Sequence, residues 1–232
     1  MGNLFNILKK SFRYTLPVLF GYIPLGFAFG ILLASKGYGP EWAFFMSVII
    51  FSGTGQYLIV SFLAAGASIP HVILMTFLLH FRYFFYGLSM IDKYHKIGKS
   101  KWYMIFGLTD ETYAILSTET PPKDISRGAF YTAVTFMNHC YWIIGSTLGA
   151  IVGNILPFNT KGIEFVMTAL FAVLVVEQWK AHKNHIPALI GFVIPIISLV
   201  ILGSEHFLIP ALLAVSVILM CMRPIFEKEE HL

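Results

Sequence analysis

The chain has 232 residues, of which 57% are hydrophobic and only 12% are charged, about half of the roughly 25% that is usual in soluble domains. A soluble helical core of this length needs charged outer faces, and 16 basic and 12 acidic residues are too few to form them. The composition therefore excludes a soluble protein and indicates a polytopic membrane protein.

Apolar segments follow one another along the whole chain, and their uniform apolar character indicates helices rather than the strands of a barrel. Eight can be drawn: 14–35, 42–65, 69–91, 103–118, 129–155, 163–178, 186–203 and 207–222. We predict an all-α polytopic membrane helix bundle of six to eight membrane segments, with residues 1–232 forming a single integral membrane domain. The apolar run of the first segment is too long for a cleavable signal peptide, which indicates an uncleaved first span.

The lysines and arginines lie in short loops, which is typical of juxtamembrane segments and gives a simpler account of the net charge of +4 than nucleic-acid binding. If all eight segments cross and the N-terminus is cytoplasmic, nine basic residues lie inside and six outside. If 42–65 and 163–178 enter and leave on the same side, the division is twelve to three, with Arg82 inside a span. Because basic loops favour the cytoplasm, we expect these two segments to be re-entrant.

An internal repeat supports the pairing of these two segments. A shift of 123 residues aligns small and acidic residues of the two halves: Gly26 with Gly149, Gly30 with Gly153, Gly39 with Gly162 and Glu41 with Glu164. The repeats are then about 14–118 and 129–222, and the three crossings between their first helices make the halves inverted. Inverted repeats with broken helices that meet near the bilayer midplane are a recurrent transporter architecture.

The segment 42–65 is interrupted by a short polar stretch, Ser52-Gly53-Thr54-Gly55-Gln56. Non-helical backbone at membrane depth is tolerated where protein or water shields it. A broken helix here would present backbone groups, the Ser52 hydroxyl and the Gln56 amide to a zwitterion. The alternative is a tight helix crossing that uses small residues, but Gln56 gains nothing from close packing alone. We therefore predict that Ser52, Gly53, Gly55 and Gln56 belong to a substrate site.

Three charged residues lie where lipid would otherwise be expected. Arg82 lies about nine residues from the nearest basic loop, too deep to snorkel easily. It is either an anchor for a substrate carboxylate or a structural counter-ion to an acid. Asp110 and Glu111 are adjacent and point about 100° apart on a helix, so one can pair with Arg82 or a substrate ammonium while the other carries a proton. The alternative for the two acids is a hydrated helix end.

Cys140 and Cys221 each lie in an apolar stretch without metal-ligand spacing, so we expect neither a disulfide framework nor a metal site. The sequence also has no phosphate-binding loop, zinc-protease motif or serine nucleophile motif. We therefore predict that the protein is not an enzyme and needs no cofactor.

The chain resembles the AzlC family, the large subunit of bacterial branched-chain amino acid exporters. The resemblance covers nearly the whole length, and its motifs occur in order: Leu16-Pro17 to Gly21, Pro24, Gly26, Phe29-Gly30, Met46-Ser47, Phe51-Ser52-Gly53 with Gln56, Arg82-Tyr83 with Tyr86, Thr109-Asp110-Glu111-Thr112 and Gly162-Ile163-Glu164-Phe165. The family usually has Ala where this chain has Ser52, and commonly has Asn-x-Arg where this chain has His80-Phe81-Arg82.

The resemblance implies a transporter of the bacterial inner membrane that exports leucine, isoleucine and valine, with methionine as a further candidate. It also implies coupling to the proton gradient and a small AzlD-type membrane subunit as partner. On this hypothesis, Arg82 or the amides of the broken helix hold the substrate carboxylate, and Asp110 or Glu111 holds the ammonium or a coupling proton. The rival hypotheses are a channel or ion-selective pore and a membrane subunit that only scaffolds a partner.

Overall fold

In the computed structural model, the described residues are 2–95, 97–122, 124–156 and 184–207, with single residues and short stretches at 165, 172, 175, 176, 179, 210, 211, 213–215, 217–219 and 222. The chain divides into two compact units, Met1–Thr168 and Ala169–Leu232. The described parts consist of helices and connecting turns and contain no β-strand. The all-α prediction is confirmed.

The first unit contains seven helices in its described residues: α1 Gly2–Ser35, α2 Pro40–Ile49, α3 Gly53–Ala65, α4 Ile69–Tyr94, α5 Lys101–Phe106, α6 Asp110–Thr118 and α7 Arg127–Ile155. The second unit contains α8, Ile186–His206. By length and composition, three described stretches can cross a membrane: Leu4–Ser35, Ile69–Tyr94 and Ile186–Gly203. α7 has 29 residues, about 44 Å at the rise of an α-helix, and runs beside α1.

α1 and α7 are parallel and pack backbone against backbone. Their contacts occur in the same order along both helices: Thr15 with Tyr141, Ile23 with Gly145, Phe27 with Gly149, and Ile31 with Gly153. A Cβ atom added at Gly149 would overlap the carbonyl group of Phe27, so only glycine permits this approach. Small residues provide such contacts in membranes because dispersion forces then act over a long helix interface.

α2 and α3 form a re-entrant hairpin, which confirms the course expected for 42–65. α2 starts near the C-terminal end of α7, where the Asn154 side chain lies 3.5 Å from the Tyr38 carbonyl. It then runs toward the middle of α7, where the hydroxyls of Ser47 and Ser146 are 2.6 Å apart. α3 then turns back, and its last turn lines a cavity of about 450 Å³ together with Lys36 at the end of α1. Both ends of the hairpin therefore lie at the same end of the unit.

α5 and α6 form a second re-entrant hairpin, so the expected crossing at 103–118 is wrong. α5 runs alongside the start of α7, where the Met104 sulfur lies 3.7 Å from the Thr132 hydroxyl. The helix is followed by Gly107, which lies against Thr135. α6 then descends until the Leu116 carbonyl accepts a hydrogen bond from Tyr131 at 3.4 Å. A segment of 16 residues is too short to contain two half-helices and also cross, so the polar break at its centre sends the chain back.

α4 runs opposite to α1 and passes both hairpins. It begins beside α3, where the rings of His71 and Phe62 are 5.7 Å apart, and ends where Lys93 donates to the Ser117 carbonyl of α6 at 2.8 Å. Helices α1–α3 therefore consist of a long helix followed by a hairpin that enters from one end of the first unit. Helices α4–α6 repeat this arrangement in the opposite direction. The broken and re-entrant helices of the predicted fold are confirmed.

Within the first unit, α1–α3 and α4–α6 are arranged in opposite directions, and the predicted repeats 14–118 and 129–222 stay a prediction. α1 and α7, which the 123-residue shift makes equivalent, are parallel, so this pair of helices is not inverted. α1 and α7 are parallel because neither of the two hairpins between them crosses from one end of the unit to the other, so that only α4 does. The second re-entrant segment expected at 163–178 lies outside the described residues, apart from single positions, as does the stretch 157–183 of the predicted repeat 129–222 that contains it.

The two ends of the first unit differ in charge. We define the basic end by the residues that lie there: Lys9, Lys10, Arg13, Lys93, Lys99, Lys101 and Arg127. Lys36 lies at the opposite end. Lys10 forms an ion pair with Asp124 in the loop before α7, and its hydrogen bond lowers the pKa of the Asp124 carboxyl. This contact corrects the expected topology, which placed residues 123–127 on the side opposite to Lys10.

Single cysteines in a chain without its own two cysteines test both hairpins. We expect Ala67→Cys to react with a membrane-impermeant maleimide from the same side as Lys36→Cys, because α2–α3 does not cross. Lys99→Cys and Thr120→Cys should both react from the opposite side. Labelling of Thr120→Cys from the side of Lys36→Cys would show that α5–α6 crosses.

The backbone contact between α1 and α7 predicts a position-dependent effect of adding one methyl group. Gly149→Ala should lower the free energy of unfolding by about 1–3 kcal/mol, the usual cost of overpacking, and lower the thermal midpoint in detergent. Gly21→Ala is the matched control, because an added Cβ there has no atom within 4 Å among the described residues. Equal midpoints for the two variants would contradict the contact.

Candidate substrate site

The two helix breaks of the first unit lie next to each other beside the middle of α7. Phe51 ends the first break and Phe106 precedes the second, and their ring centroids are 6.3 Å apart. His139 of α7 lies between them, with its ring 4.3 Å from Phe51 and 5.8 Å from Phe106. Phe51 has a φ of 42°, which is unusual for a bulky residue and indicates backbone strain at the turn.

At the first break, Ser52 is the N-cap residue of α3 and connects this helix to α4. Its hydroxyl accepts a hydrogen bond from the Gly55 amide at 3.3 Å, which caps the helix. The same hydroxyl lies 2.7 Å from His80 Nε2, and His80 Nδ1 lies 2.8 Å from the Thr76 carbonyl. Because a carbonyl only accepts, Nδ1 carries the proton and Ser52 donates to Nε2 in the neutral ring. A Cβ at Gly55 would lie 2.9 Å from His80, so glycine is required for this contact.

Gln56 and Gly53 hold the first hairpin against α7. The Gln56 side chain is fully buried, its carbonyl oxygen accepts from Trp142 Nε1, and its amide donates to Ser47 at 3.2 Å. A Cβ at Gly53 would lie 3.1 Å from the Trp142 ring. Both the oxygen and the nitrogen of the amide that the sequence assigned to the substrate site thus form hydrogen bonds inside the protein, and these bonds stabilise the position of the break.

At the second break, Thr109 is the N-cap residue of α6 and Asp110 is the first residue of the helix. The Thr109 hydroxyl accepts from the Thr112 amide at 3.3 Å, the same capping arrangement as at Ser52. Asp110 Oδ2 lies 2.8 Å from Arg82 Nη2 of α4. Both side chains are partly buried, with 23% and 32% of their surfaces exposed. Arg82 Nε and Asp110 Oδ1 are also buried and have no hydrogen-bond partner among the described residues.

Glu111 points away from Arg82, as the 100° between neighbouring positions on a helix requires. Its Oε2 lies 2.6 Å from the hydroxyl of Tyr22 on α1, which lies 2.8 Å from the Thr109 hydroxyl. A chain of polar groups continues from there: Thr109 to Thr112 at 3.0 Å, and Thr112 to Asn138 of α7 at 3.0 Å. A hydroxyl can both donate and accept, so the direction of the hydrogen bonds between Tyr22 and Thr109 depends on whether Glu111 carries a proton.

His139 connects both hairpins to α7. Its Nε2 donates to the Ser47 carbonyl of α2 at 3.1 Å, so Nδ1 is free to accept from the Tyr103 hydroxyl of α5 at 3.0 Å. Asn138 and His139 therefore make interhelical hydrogen bonds. These bonds fix the distance between the two breaks.

The residues that the sequence placed in the site are brought together in two groups. Ser52, Gly53, Gly55 and Gln56 lie at the first break, and Arg82, Asp110 and Glu111 lie at the second. Sequence reasoning did not select Tyr22, Ser47 or Trp142. The available signal for Tyr22 was a phenol in the middle of an apolar span, because a buried hydroxyl there needs a partner.

The combined arrangement suits a small molecule that carries both a positive and a negative charge. The N-terminal ends of α3 and α6 carry partial positive charge, the Arg82 guanidinium lies at the start of α6, and Asp110 and Glu111 supply negative charge. Among the described residues, no group of three His, Cys, Asp or Glu side chains is placed to hold a metal ion.

Comparisons with known proteins place the chain in a family. The AzlC protein family model matches residues 17–156, which include both breaks and all of the predicted site residues. The branched-chain amino acid transport protein AzlC of Bacillus subtilis (strain 168) is 39% identical over 99% of this chain and 90% of its own length.

Other relatives extend the same similarity. An uncharacterized membrane protein of Helicobacter pylori (strain ATCC 700392 / 26695) is 38% identical over 98% of this chain and its whole length. The inner membrane protein YgaZ of Escherichia coli (strain K12) is 26% identical over 92% of this chain and 87% of its own length. No solved structure matches the chain. The apolar helices, the ordered motifs and these similarities show that the chain is a multi-pass membrane protein of the AzlC family.

Proposed function

We propose that the protein is a carrier that exports branched-chain amino acids, and that the ion pair between Arg82 and Asp110 is its substrate site. The observation that carries this proposal is that each partner keeps one buried polar atom without a hydrogen bond among the described residues. An amino acid supplies the two groups that these atoms need, a carboxylate for Arg82 and an ammonium for Asp110. The name of the Bacillus subtilis relative supports the substrate class.

The substrate enters this site by replacing one ion pair with two. The substrate carboxylate pairs with the Arg82 guanidinium, and the substrate ammonium pairs with the Asp110 carboxylate. Neither buried charge is therefore unpaired while the substrate is bound. The side chains of leucine, isoleucine and valine need apolar surroundings, and Phe51 and Phe106 provide rings next to the breaks. A molecule with only one of the two charges would leave Arg82 or Asp110 unpaired and would bind weakly.

Glu111 is the proposed site of the coupling proton. When ionised, it accepts from the Tyr22 hydroxyl at 2.6 Å. When protonated, it donates to Tyr22, which then donates to Thr109, the residue that caps α6. Proton uptake thereby changes the hydrogen bonds at the start of the helix that carries Asp110. This gives a physical link between proton binding and the substrate site.

Export follows from the proposed orientation and from the proton gradient. Because basic loops favour the cytoplasm, the basic end and the N-terminus face inward in a bacterial inner membrane. Protons enter down their gradient as the amino acid leaves. A small AzlD-type membrane subunit completes the proposal, and its support is the family resemblance alone.

Neutralising either partner of the ion pair should impair binding of isoleucine. In proteoliposomes, Arg82→Gln and Asp110→Asn should each raise the half-saturating isoleucine concentration at least about tenfold, which corresponds to about 1.4 kcal/mol. Arg13→Gln, an exposed arginine at the basic end, is the matched control. Normal isoleucine export by both site variants would exclude the site.

Removing the proposed proton carrier should separate binding from coupling. Glu111→Gln should still bind isoleucine but lose the acceleration of efflux by an imposed pH gradient, because glutamine cannot take up a proton. Tyr22→Phe should weaken the same acceleration by breaking the chain to Thr109. If Glu111→Gln responds to the gradient as the unaltered protein does, the coupling role is wrong.

The same proteoliposomes distinguish the rival functions. A carrier gives saturable isoleucine flux that runs against its gradient when a pH gradient is imposed. A channel gives non-saturating flux that never runs against the gradient. A scaffold gives no flux alone or with its small partner subunit.

A further inference from the structure

An apolar groove lies at the basic end, at the outer surface of the first unit and apart from the candidate substrate site. It has a volume of about 420 Å³, within the usual range for ligand pockets. α1, α7 and Ser100, the residue before α5, meet here, and the apolar part of the lining consists of Leu4, Ile7, Leu8, Ala129, Ala133 and Phe136. In a membrane, an apolar groove of this size does not hold water, because water finds no polar partners in it.

Basic residues are the chain neighbours of two residues that line this groove. Ser100 and Gly128 line it, and their neighbours in the chain are Lys99, Lys101 and Arg127. None of these three cations forms an ion pair with a carboxylate among the described residues, since the acid of the adjacent loop, Asp124, is bonded to Lys10. Three positive charges at one end of an apolar groove therefore remain available to an anion.

The side chain of Trp102 indicates the depth of the groove in the membrane. It is 70% exposed, and the Lys101 ammonium lies 5.4 Å from its ring centroid. Exposed tryptophans next to lysines are typical of the level of the lipid headgroups. The mouth of the groove thus lies at headgroup depth and its apolar wall lies at the depth of the acyl chains.

We propose that this groove binds an anionic glycerophospholipid, with one acyl chain along the apolar wall and the phosphate held by Lys99, Lys101 and Arg127. Basic pockets between membrane helices on the cytoplasmic side are suited to anionic headgroups, and each nearby lysine or arginine contributes about 1 kcal/mol, or about fivefold in affinity. The bound lipid contacts Ser100, the residue directly before the hairpin formed by α5 and α6. It therefore stabilises the base of that hairpin.

Native mass spectrometry of the detergent-solubilised protein tests the headgroup part of this proposal. We expect phosphatidylglycerol to be retained in preference to phosphatidylcholine with the same acyl chains. The double variant Lys101→Gln/Arg127→Gln should weaken phosphatidylglycerol retention about thirtyfold, whereas Lys36→Gln, at the opposite end, should leave it unchanged. Equal retention of the two lipids, or an equal loss in Lys36→Gln, would overturn the proposal.

A second variant tests the groove itself. Ala129→Phe fills the groove without changing a charge, so it should reduce retention of phosphatidylglycerol while the thermal midpoint of the lipid-free protein stays close to that of the unaltered protein. sn-Glycerol 3-phosphate, which has the headgroup chemistry without acyl chains, should not compete at the same concentration. Unchanged retention in a folded Ala129→Phe variant, or competition by glycerol phosphate, would show that the acyl chain is not bound here. If Ala129→Phe does not fold, Thr132→Leu gives the same comparison.

Discussion

Two helices of this protein begin in the interior of the first unit, and their first backbone amides need partners there. In water such amides would be hydrated, but at membrane depth each unsatisfied group costs several kcal/mol. Ser52 and Thr109 meet this requirement with a side-chain cap, and each is held by a second polar residue, His80 and Tyr22. The whole arrangement of α1, α4 and α7 around the hairpins provides the shielding that these two breaks require.

The composition of α7 reflects the same requirement. Its buried residues include Asn138, His139 and Ser146, which bond to the backbone or side chains of the hairpins. These polar groups lower its hydropathy, so α7 is not among the three described stretches that stand out as membrane spans although it is one of the longest helices. The polar side of α7 forms hydrogen bonds with the hairpins, and its glycine face packs against α1.

Much of the fold could be predicted from the sequence, because charge scarcity, basic loops and a Gly-rich polar break are local signals. They identified the membrane class, the break at Ser52 and the re-entrant course of 42–65. The second hairpin was missed because apolar residues lie on both sides of Thr109-Asp110-Glu111 in the segment 103–118. These polar residues were interpreted as binding groups and not as a point where the chain changes direction. That error also reversed the expected side of residues 123–127 and the relation between α1 and α7.

The candidate site was predictable in its members but not in its arrangement. A charge inside an apolar span is conspicuous in a sequence, which is why Arg82, Asp110 and Glu111 could be selected. Which acid pairs with Arg82 depends on the rotation of α6 relative to α4, and no local pattern encodes that rotation. Gln56 was conspicuous for the same reason as the charges, but its partners Trp142 and Ser47 come from other helices.

The two hairpins have a consequence for how the topology of this protein can be measured. Counting each apolar segment up to residue 156 as a passage gives five passages, whereas the structure has three, namely α1, α4 and α7. Both numbers are odd, so a reporter enzyme fused after α7 would be on the same side of the membrane in either case. Only positions between the passages, such as those around Ala67 and Lys99, change sides. Fusions at the ends of the unit would therefore agree with a wrong count as readily as with the correct one.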